Sequence, residues 1–375
     1  MGRKEKIARS LVTAITKTTQ TAKRPRSLLA LILSLFSAFF SLYQLTLRKI
    51  RPAEFSRLRR EHWEVNDDDY TQSFQPDDDE DEEKPLKAIG DMGFSGSVSN
   101  LMFNYTFYTT RDHKYLVKSV PRHSEHSFFR DNLLTPYVHH MAHHPNSLLV
   151  RICDFLAVTG PSIGRLFRLA PSHHIVMENI MYGKEDSSKW NKNDWQNWDL
   201  KPTSYFYPER DIANGALTSD ATKDQLADKF KDKIVLRRSQ ADDLLVMLEE
   251  DTKLLAEHNA VDYSLFLVRI KRPGSTSSES QDLTAVPVDP PSAPPGPPTW
   301  RTGIPSADGK YLFRASILDF FWAKHKAQPQ AMTMLISLWN LLISRQGHMS
   351  ITTTPDEYRE RFLKMCREIV EVKED

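Results

Sequence analysis

The chain has 375 residues, of which 40% are hydrophobic and 10% aromatic, so it can bury a large core in two domains or in two lobes of one domain. Lysine and arginine number 50 against 49 aspartate and glutamate residues, and this balance excludes a protein that binds nucleic acid along its whole surface. The 2 cysteines, Cys153 and Cys366, are too few for a disulfide framework or a zinc cluster and indicate a reducing compartment.

The first 47 residues form a separate segment that is basic at its start and apolar at its end. Residues 3–26 combine basic side chains with apolar residues at helical spacing, which predicts an amphipathic helix suited to an anionic membrane surface or, alternatively, a solvated terminus. Residues 28–47 carry no charge and are long enough to span a bilayer. Because they also contain serine, threonine and glutamine, a buried or interfacial helix competes with a membrane span, and both interpretations stay open.

Three further stretches outline the organisation of the chain. Residues 51–74 have the pattern of a short helix packed against the protein surface. Residues 77–83 are seven consecutive acids, which predict a solvated loop because packed like charges repel one another. Residues 273–309 are rich in proline, serine and glycine and predict a disordered insertion.

A glycine-rich sequence, GDMGFSGS, occupies residues 90–97 and precedes a short apolar strand that ends at Lys118. Glycines between two strands let backbone amides approach phosphate groups without a side-chain clash. A lysine at the end of the following strand can reach the phosphates of ATP. Glu125 then opens a helical stretch over residues 125–144, at a position suited to pairing with Lys118 or, alternatively, to complementing the helix dipole.

The same helical stretch is rich in histidine. Two pairs of these residues have the i, i+4 spacing of metal ligands, but no carboxylate or cysteine joins them at ligand spacing. The pattern therefore favours a solvent-facing, histidine-rich helix end over a zinc site, and this interpretation covers His126, His139, His140, His143 and His144.

Two aspartates interrupt apolar runs that predict strands. Asp262 lies within residues 254–270, and Asp319 follows an apolar segment near residue 316. A carboxylate in an apolar strand is costly unless a cation or hydrogen bonds compensate its charge. The pattern therefore predicts that both acids are buried in strands beside a shared cation, for which Mg²⁺ with ATP is the expected source. The alternative is that each aspartate is a strand-end residue that faces solvent.

An ordered series of short motifs then resembles the phosphatidylinositol phosphate kinase family. Its members are GFSGS at 93–97, NSLL at 146–149, VMEN at 176–179, DLK at 199–201, VDYSLF at 261–266 and ILDF at 317–320. A family pattern upstream matches Pro52, Phe55, Leu58, Arg59, Asp69, Tyr70 and Ser73, and one at the C-terminus matches Pro355, Tyr358, Arg361 and Phe362. No single motif is specific, whereas their order along residues 50–375 is.

The resemblance implies an α+β, two-lobed kinase-like fold that is shared with a purine-pathway ligase of the SAICAR synthetase type. The N-lobe, at about residues 48–180, would have an antiparallel sheet plus a helix, and the C-lobe, at about 181–375, a mixed sheet with helices. ATP and Mg²⁺ are the implied cofactors. The implied partners are a phosphoinositide lipid in a membrane and a second copy of the chain in a homodimer, without nucleic acid.

The resemblance also assigns roles to individual residues. Asp262, Lys118 and Asp319 would be catalytic and would converge on one metal-bound nucleotide, with Asp319 as the Mg²⁺ ligand. Lys324 and Lys326 would bind the lipid head group. The residues that would bind ATP are Gly93, Ser95, Gly96, Ser97, Lys118, Glu125, Met177, Glu178, Ile180 and Lys201.

The chain departs from the family pattern at three places. Pro202 stands where the family has glycine, Phe94 replaces a lysine of the glycine loop, and the stretch after Asp319 lacks the lysine-rich activation segment. The expected function is an ATP-dependent lipid kinase that is cytoplasmic and peripheral at a membrane face, with residues 28–47 as a further anchor. The departures favour the alternative, a weak or inactive kinase fold that binds lipid or a partner protein, whereas a ligase fits the motifs less well.

Overall fold

The computed structural model describes residues 2–16, 43–75, 85–90, 106–159, 170–185, 191–202, 230–272, 298–323 and 354–373. The chain forms two compact units. Unit 1 comprises Met1–His126 and Arg151–Asn179, and unit 2 comprises Ser127–Val150 and Ile180–Asp375. Residues 127–150 thus cluster with unit 2, although they lie in sequence between the two segments of unit 1.

Unit 1 contains a six-stranded antiparallel sheet in the order β1-β5-β6-β4-β3-β2. β5 and β6 are the central strands of the apolar core, and every residue of both is buried. The strands are β1 (Leu47–Ile50), β2 (Leu86–Gly90), β3 (Phe107–Thr110), β4 (Tyr115–Ser119), β5 (Ile152–Val158) and β6 (His173–Glu178).

The first helix of unit 1 is α1, Arg3–Thr16, which confirms the predicted amphipathic helix within its bounds. Its apolar face packs within unit 1, because Ile7, Leu11 and Ile15 are buried and the Ser10 hydroxyl accepts a hydrogen bond from the Leu45 amide at 3.0 Å. Its exposed face keeps the basic residues at the start of the chain. Across the parts of the chain that the structure describes, no helix is both long and apolar enough to cross a membrane.

Two short helices follow β1, where a single short helix was predicted over residues 51–74. They are α2 (Pro52–Arg57), which continues as a π-helical turn at Leu58–His62, and α3 (Asp67–Gln72). A buried ion cluster fixes them to the sheet. Asp154 on β5, which is 0% exposed, accepts a hydrogen bond from the Tyr70 hydroxyl at 2.9 Å and lies 3.0 Å from the Lys49 ammonium and 3.4 Å from the Arg59 guanidinium.

Unit 2 contains three sheets. A four-stranded antiparallel sheet has the order β11-β12-β10-β7, β9 and β13 form an antiparallel pair, and β8 and β14 form a parallel pair. The α+β prediction with antiparallel sheets and helices is therefore confirmed. The strands are β7 (Trp195–Leu200), β8 (Ile234–Arg237), β9 (Ala260–Val261), β10 (Ser264–Lys271), β11 (Ile304–Pro305), β12 (Tyr311–Leu318), β13 (Trp322–Ala323) and β14 (Val370–Lys373).

The helical stretch predicted at residues 125–144 is present with an interruption. α4 (His123–Phe128) continues as a π-helical turn, Phe129–Leu133, and then as α5 (Leu134–His143). Unit 2 also contains a 3₁₀ turn at Lys192–Asp194 and two long helices. These are α6 (Arg238–Glu257) and α7 (Pro355–Ile369), and α7 begins with a capping box formed by Thr354 and Glu357.

Several predictions fall outside the described residues. They are the acidic loop at 77–83, the glycine loop at 93–97, residues 28–42 of the apolar segment, residues 273–297 of the proline-rich insertion, and the stretch at 324–353 with Lys324 and Lys326. For residues 298–309 the predicted disorder is wrong, because Trp300 is buried there and β11 pairs with β12.

Candidate active site

Three of the predicted site residues lie together in unit 2. The Lys201 ammonium donates a hydrogen bond to Asp262 Oδ1 at 2.6 Å, and Lys201 also lies within electrostatic range of Asp319. Strand pairing explains this arrangement. Lys201 follows β7, whose last residue pairs with β10, while Asp262 and Asp319 lie where the β10–β12 ladder gives way to the β9–β13 ladder.

Asp262 and Asp319 are not inside strands, so the prediction that both are buried there is wrong. Asp262 lies between β9 and β10, Asp319 follows β12, and each is half-buried. Both have left-handed backbone conformations, with φ of 65° and 62°. Such values are uncommon for residues other than glycine, although aspartate tolerates them best, and they cluster at functional sites. Both aspartates therefore lie in turns at strand ends, where neither is fully buried.

The electrostatics of this cluster are dominated by acid. Burial alone would lower the pKa of the Lys201 ammonium, but the charges of Asp262 and Asp319, the hydrogen bond to Asp262 and the charge of Asp199 outweigh burial and raise that pKa above its usual value. Lys201 therefore stays charged at neutral pH. Asp262, Asp319 and Asp199 thus all act on one buried ammonium, and such carboxylates are oxygen ligands of the kind that Mg²⁺ accepts.

The C-terminal helix α7 supports the turn at Asp262. The Tyr358 hydroxyl donates a short hydrogen bond to the carbonyl of Tyr263, the residue after Asp262. The rings of Tyr358 and Phe362 pack edge-on against the Tyr263 ring, with centroids 4.7 and 4.9 Å away. This packing explains why the C-terminal motif accompanies the VDYSLF motif along the sequence.

A second buried network holds the NSLL segment against β12, and it was missed by the sequence analysis. Asp251 on α6, which is 1% exposed, accepts hydrogen bonds from His140 Nε2 at 2.6 Å, the Ser147 hydroxyl at 2.7 Å and the Leu148 amide at 2.6 Å. The Leu148 carbonyl then accepts a hydrogen bond from the Ile317 amide at 2.6 Å. An aspartate within a polar helix gives no sequence signal for such a role, because its partners are about a hundred residues away.

In unit 1, Lys118 is on β4 and is 6% exposed. Directly opposed residues of an antiparallel pair share a face, so the pairing of Lys118 with Ile175 and of Leu116 with Met177 places all four on one face of the sheet. The Lys118 ammonium lies 5.5 Å from the centroid of the Phe107 ring. This face therefore carries the buried amine of Lys118 together with Met177, and both residues were predicted to bind ATP.

Glu125 is on α4 and is 5% exposed, and its carboxylate accepts a hydrogen bond from the Arg122 guanidinium at 3.2 Å. This ion pair was not predicted, and the pairing of Glu125 with Lys118 that a kinase-like fold implies stays a prediction. Arg122 and Glu125 have the i, i+3 spacing that brings two side chains together on a helix.

Residues 177–180, several of which were predicted to bind ATP, are held in place by hydrogen bonds to other parts of the protein. The Glu178 amide donates to the Arg151 carbonyl at 3.0 Å, and the Glu178 carboxylate accepts from the Arg151 amide at 2.9 Å. The Asn179 amide donates to the Lys114 carbonyl at 2.9 Å. In unit 2, the Ile180 carbonyl accepts a hydrogen bond from the buried Arg314 guanidinium at 3.0 Å. Two amides of the segment are thus already bonded to protein.

The histidines of the helical stretch differ in environment. His139 and His143 are exposed, as predicted, but His126 and His140 are buried, so a fully solvent-facing helix end is wrong. His139 stacks on His143 with centroids 4.2 Å apart, a geometry in which the rings do not converge on a metal. Within the described ranges, no group of three or more histidine, cysteine or acidic residues is arranged to hold a metal ion.

The donor set of the Lys201 cluster fits Mg²⁺. This ion prefers oxygen ligands and commonly uses one or two protein carboxylates together with substrate phosphates and water. Asp319, with Asp262 close by, supplies hard carboxylate oxygens on accessible turns. The remaining predicted site residues, Gly93, Ser95, Gly96, Ser97, Lys324 and Lys326, lie outside the described residues.

The antiparallel sheets and helices, together with the acidic cluster, are those of a kinase-like α+β fold. The family model described as Phosphatidylinositol-4-phosphate 5-Kinase matches residues 80–369. A Dictyostelium discoideum protein named "Probable phosphatidylinositol phosphate kinase" is 29% identical over 185 residues, which are 49% of this chain and 22% of that protein. The chain therefore spans about a fifth of the length of this relative.

Because the family match covers well over half of its length, the chain belongs to the phosphatidylinositol phosphate kinase family, and its class is that of a phosphoinositide kinase. The resemblance seen in the sequence motifs is confirmed.

Proposed function

We propose that this protein is an ATP-dependent lipid kinase that phosphorylates the inositol head group of a phosphatidylinositol phosphate at a membrane surface. The observation that carries the proposal is the cluster of Lys201, Asp262 and Asp319 in a chain of this family. Phosphoryl transfer depends mostly on positioning and on neutralising charge, and such a cluster supplies both a metal ligand and an acceptor for a hydroxyl proton.

Each residue has a defined role in the proposal. Asp319 holds Mg²⁺, which when bound would neutralise the charge of the nucleotide phosphates. Asp262 accepts a hydrogen bond from the attacking inositol hydroxyl and orients it. Lys201 fixes the direction of the Asp262 carboxylate through their hydrogen bond. Lys118 binds ATP phosphates, and Lys324 and Lys326 contact the phosphorylated head group.

A second candidate is a weakly active or inactive kinase fold that binds lipid or a partner. Specific contacts favour it: Asp262 is already bonded to Lys201, and the Glu178 amide is bonded to the Arg151 carbonyl. Against this candidate, the chain retains Lys118, Asp262 and Asp319, a charged set that an inactive fold has no reason to keep.

Radiolabelled ATP and vesicles that carry individual phosphatidylinositol phosphates distinguish the two candidates. The kinase predicts label on at least one lipid, lost by on the order of a thousandfold in Asp262→Asn, because the hydroxyl is no longer oriented. Lys118→Met should lose turnover with the fold intact. Binding of ATP without label on any lipid would reject the kinase in favour of the second candidate.

A further inference from the structure

The turn at Asp319 is followed by two aromatic residues that form a packed cluster in unit 2. Phe320 is 0% and Phe321 6% exposed, and their rings are stacked with centroids 5.1 Å apart. The Tyr137 ring stacks on Phe320 at 5.9 Å, and the Phe129 ring packs edge-on against Phe321 at 5.0 Å. Aromatic pairs at these separations stabilise one another beyond the area they bury.

Tyr137 also reaches the chain before Asp319. Its hydroxyl donates a hydrogen bond to the Val150 carbonyl at 2.8 Å. The Val150 amide in turn donates to the Ile317 carbonyl at 3.1 Å, two residues before the turn. One fully buried side chain therefore contacts the residue after Asp319 through its ring and holds the strand before Asp319 through a two-bond chain.

The helix that carries Tyr137 is interrupted where it meets this cluster. Phe129 belongs to the π-helical turn Phe129–Leu133, directly before α5, on which Tyr137 lies. Such turns inside α-helices are rare and are frequent at functional sites. Here the π-helical turn contributes the Phe129 ring to the aromatic cluster that follows Asp319 in the chain.

We infer that Tyr137 is a positioning residue for the metal ligand Asp319. An aspartate in a left-handed conformation costs free energy and persists only where its surroundings stabilise it. Tyr137 contacts the chain on both sides of Asp319, at Phe320 through its ring and at Ile317 through Val150. The carboxylate is thereby directed before a metal arrives, so that metal affinity depends on the Tyr137 hydroxyl. The inference rests on the proposed role of Asp319 in Mg²⁺ binding.

Tyr137→Phe tests the inference because it keeps the ring and removes only the hydroxyl. Tyr108→Phe is a matched control in unit 1, where a buried hydroxyl donates to the Lys4 carbonyl at 3.2 Å. The full-length protein is titrated with MgCl₂ at fixed ADP, and the thermal unfolding midpoint is recorded. The Mg²⁺ concentration for half-maximal stabilisation should rise roughly fivefold in Tyr137→Phe, the effect of one hydrogen bond, and stay unchanged in Tyr108→Phe.

The outcomes separate this inference from the proposed function. Tyr137→Phe should also recover lipid phosphorylation at high Mg²⁺, which a general loss of stability would not produce. Identical titrations for Tyr137→Phe and Tyr108→Phe, with Asp319→Asn losing the Mg²⁺ effect, would overturn the inference alone. Absence of any Mg²⁺ effect in the wild-type protein would overturn the metal site and the inference together. Phe320→Leu, which keeps the tyrosine hydroxyl, should weaken the Mg²⁺ effect in the same direction.

Discussion

Each unit contains an ion cluster, and the two clusters differ in how far their acidic side chains are buried and in what surrounds them. In unit 1, Asp154 is fully buried and is matched by two cations, Lys49 and Arg59, and by a tyrosine hydroxyl. In unit 2, several carboxylates act on the single ammonium of Lys201, and Asp262 keeps 35% of its side chain exposed. A fully buried acid held by cations and a hydroxyl stabilises structure, whereas an acid that keeps part of its side chain exposed can still reach a ligand.

The unit 1 cluster should therefore carry a large share of stability. Asp154→Asn removes the charge and leaves Lys49 without its buried counterion, while Arg59 keeps its ion pair with Asp67 at 2.6 Å. We expect the change to cost about 3–5 kcal/mol of unfolding free energy. Denaturant unfolding measures this cost. A loss below about 1 kcal/mol would show that the buried cluster does not stabilise unit 1.

A buried histidine in unit 1 extends the comparison, because protonation of its imidazole is incompatible with the folded state. His174 is 0% exposed, and burial lowers its pKa to about 3. The unfolded chain takes up a proton near pH 6.5 while the folded chain does not, so the unfolded state binds more protons between these values and stability falls as pH falls.

Between pH 7.5 and pH 5.0 this term amounts to about 2 kcal/mol. His174→Leu should therefore lose about 2 kcal/mol less unfolding free energy than the wild-type protein over that interval, as measured by denaturant titrations at both pH values. His139→Leu, at an exposed position, provides the matched control and should follow the wild-type curve. Parallel pH profiles for His174→Leu and the wild-type protein would contradict the account.

The smallest effect is expected for an exposed ion pair. Asp232 is 63% exposed in its contact with Arg269, whose hydrogen bond is the main cause of the lowered pKa of the Asp232 carboxyl. Solvent screens such pairs, so Asp232→Asn should change stability by less than about 1 kcal/mol and leave lipid phosphorylation unchanged. A loss comparable to that of Asp154→Asn would remove the distinction between buried and exposed acids.

Much of the fold could be predicted from the sequence because its signals are local. The helical spacing of apolar residues predicted α1, and the order of motifs predicted the family. The conformations of Asp262 and Asp319 could not be predicted, since a strand and a left-handed turn at its end share the same apolar neighbours. The roles of Asp251 and Tyr137 depend on partners far away in the sequence. A single sequence does not show which distant residues contact a side chain, so these roles could not be predicted.

The most direct test of the central claim compares two identical chemical changes in the two clusters. Lipid phosphorylation per folded molecule is measured for Asp319→Asn and Asp154→Asn at a temperature where both variants are folded. We predict a loss on the order of a thousandfold for Asp319→Asn and a wild-type rate for Asp154→Asn. Wild-type turnover in Asp319→Asn, or equal losses in the two variants, would contradict the assignment of the unit 2 cluster to catalysis.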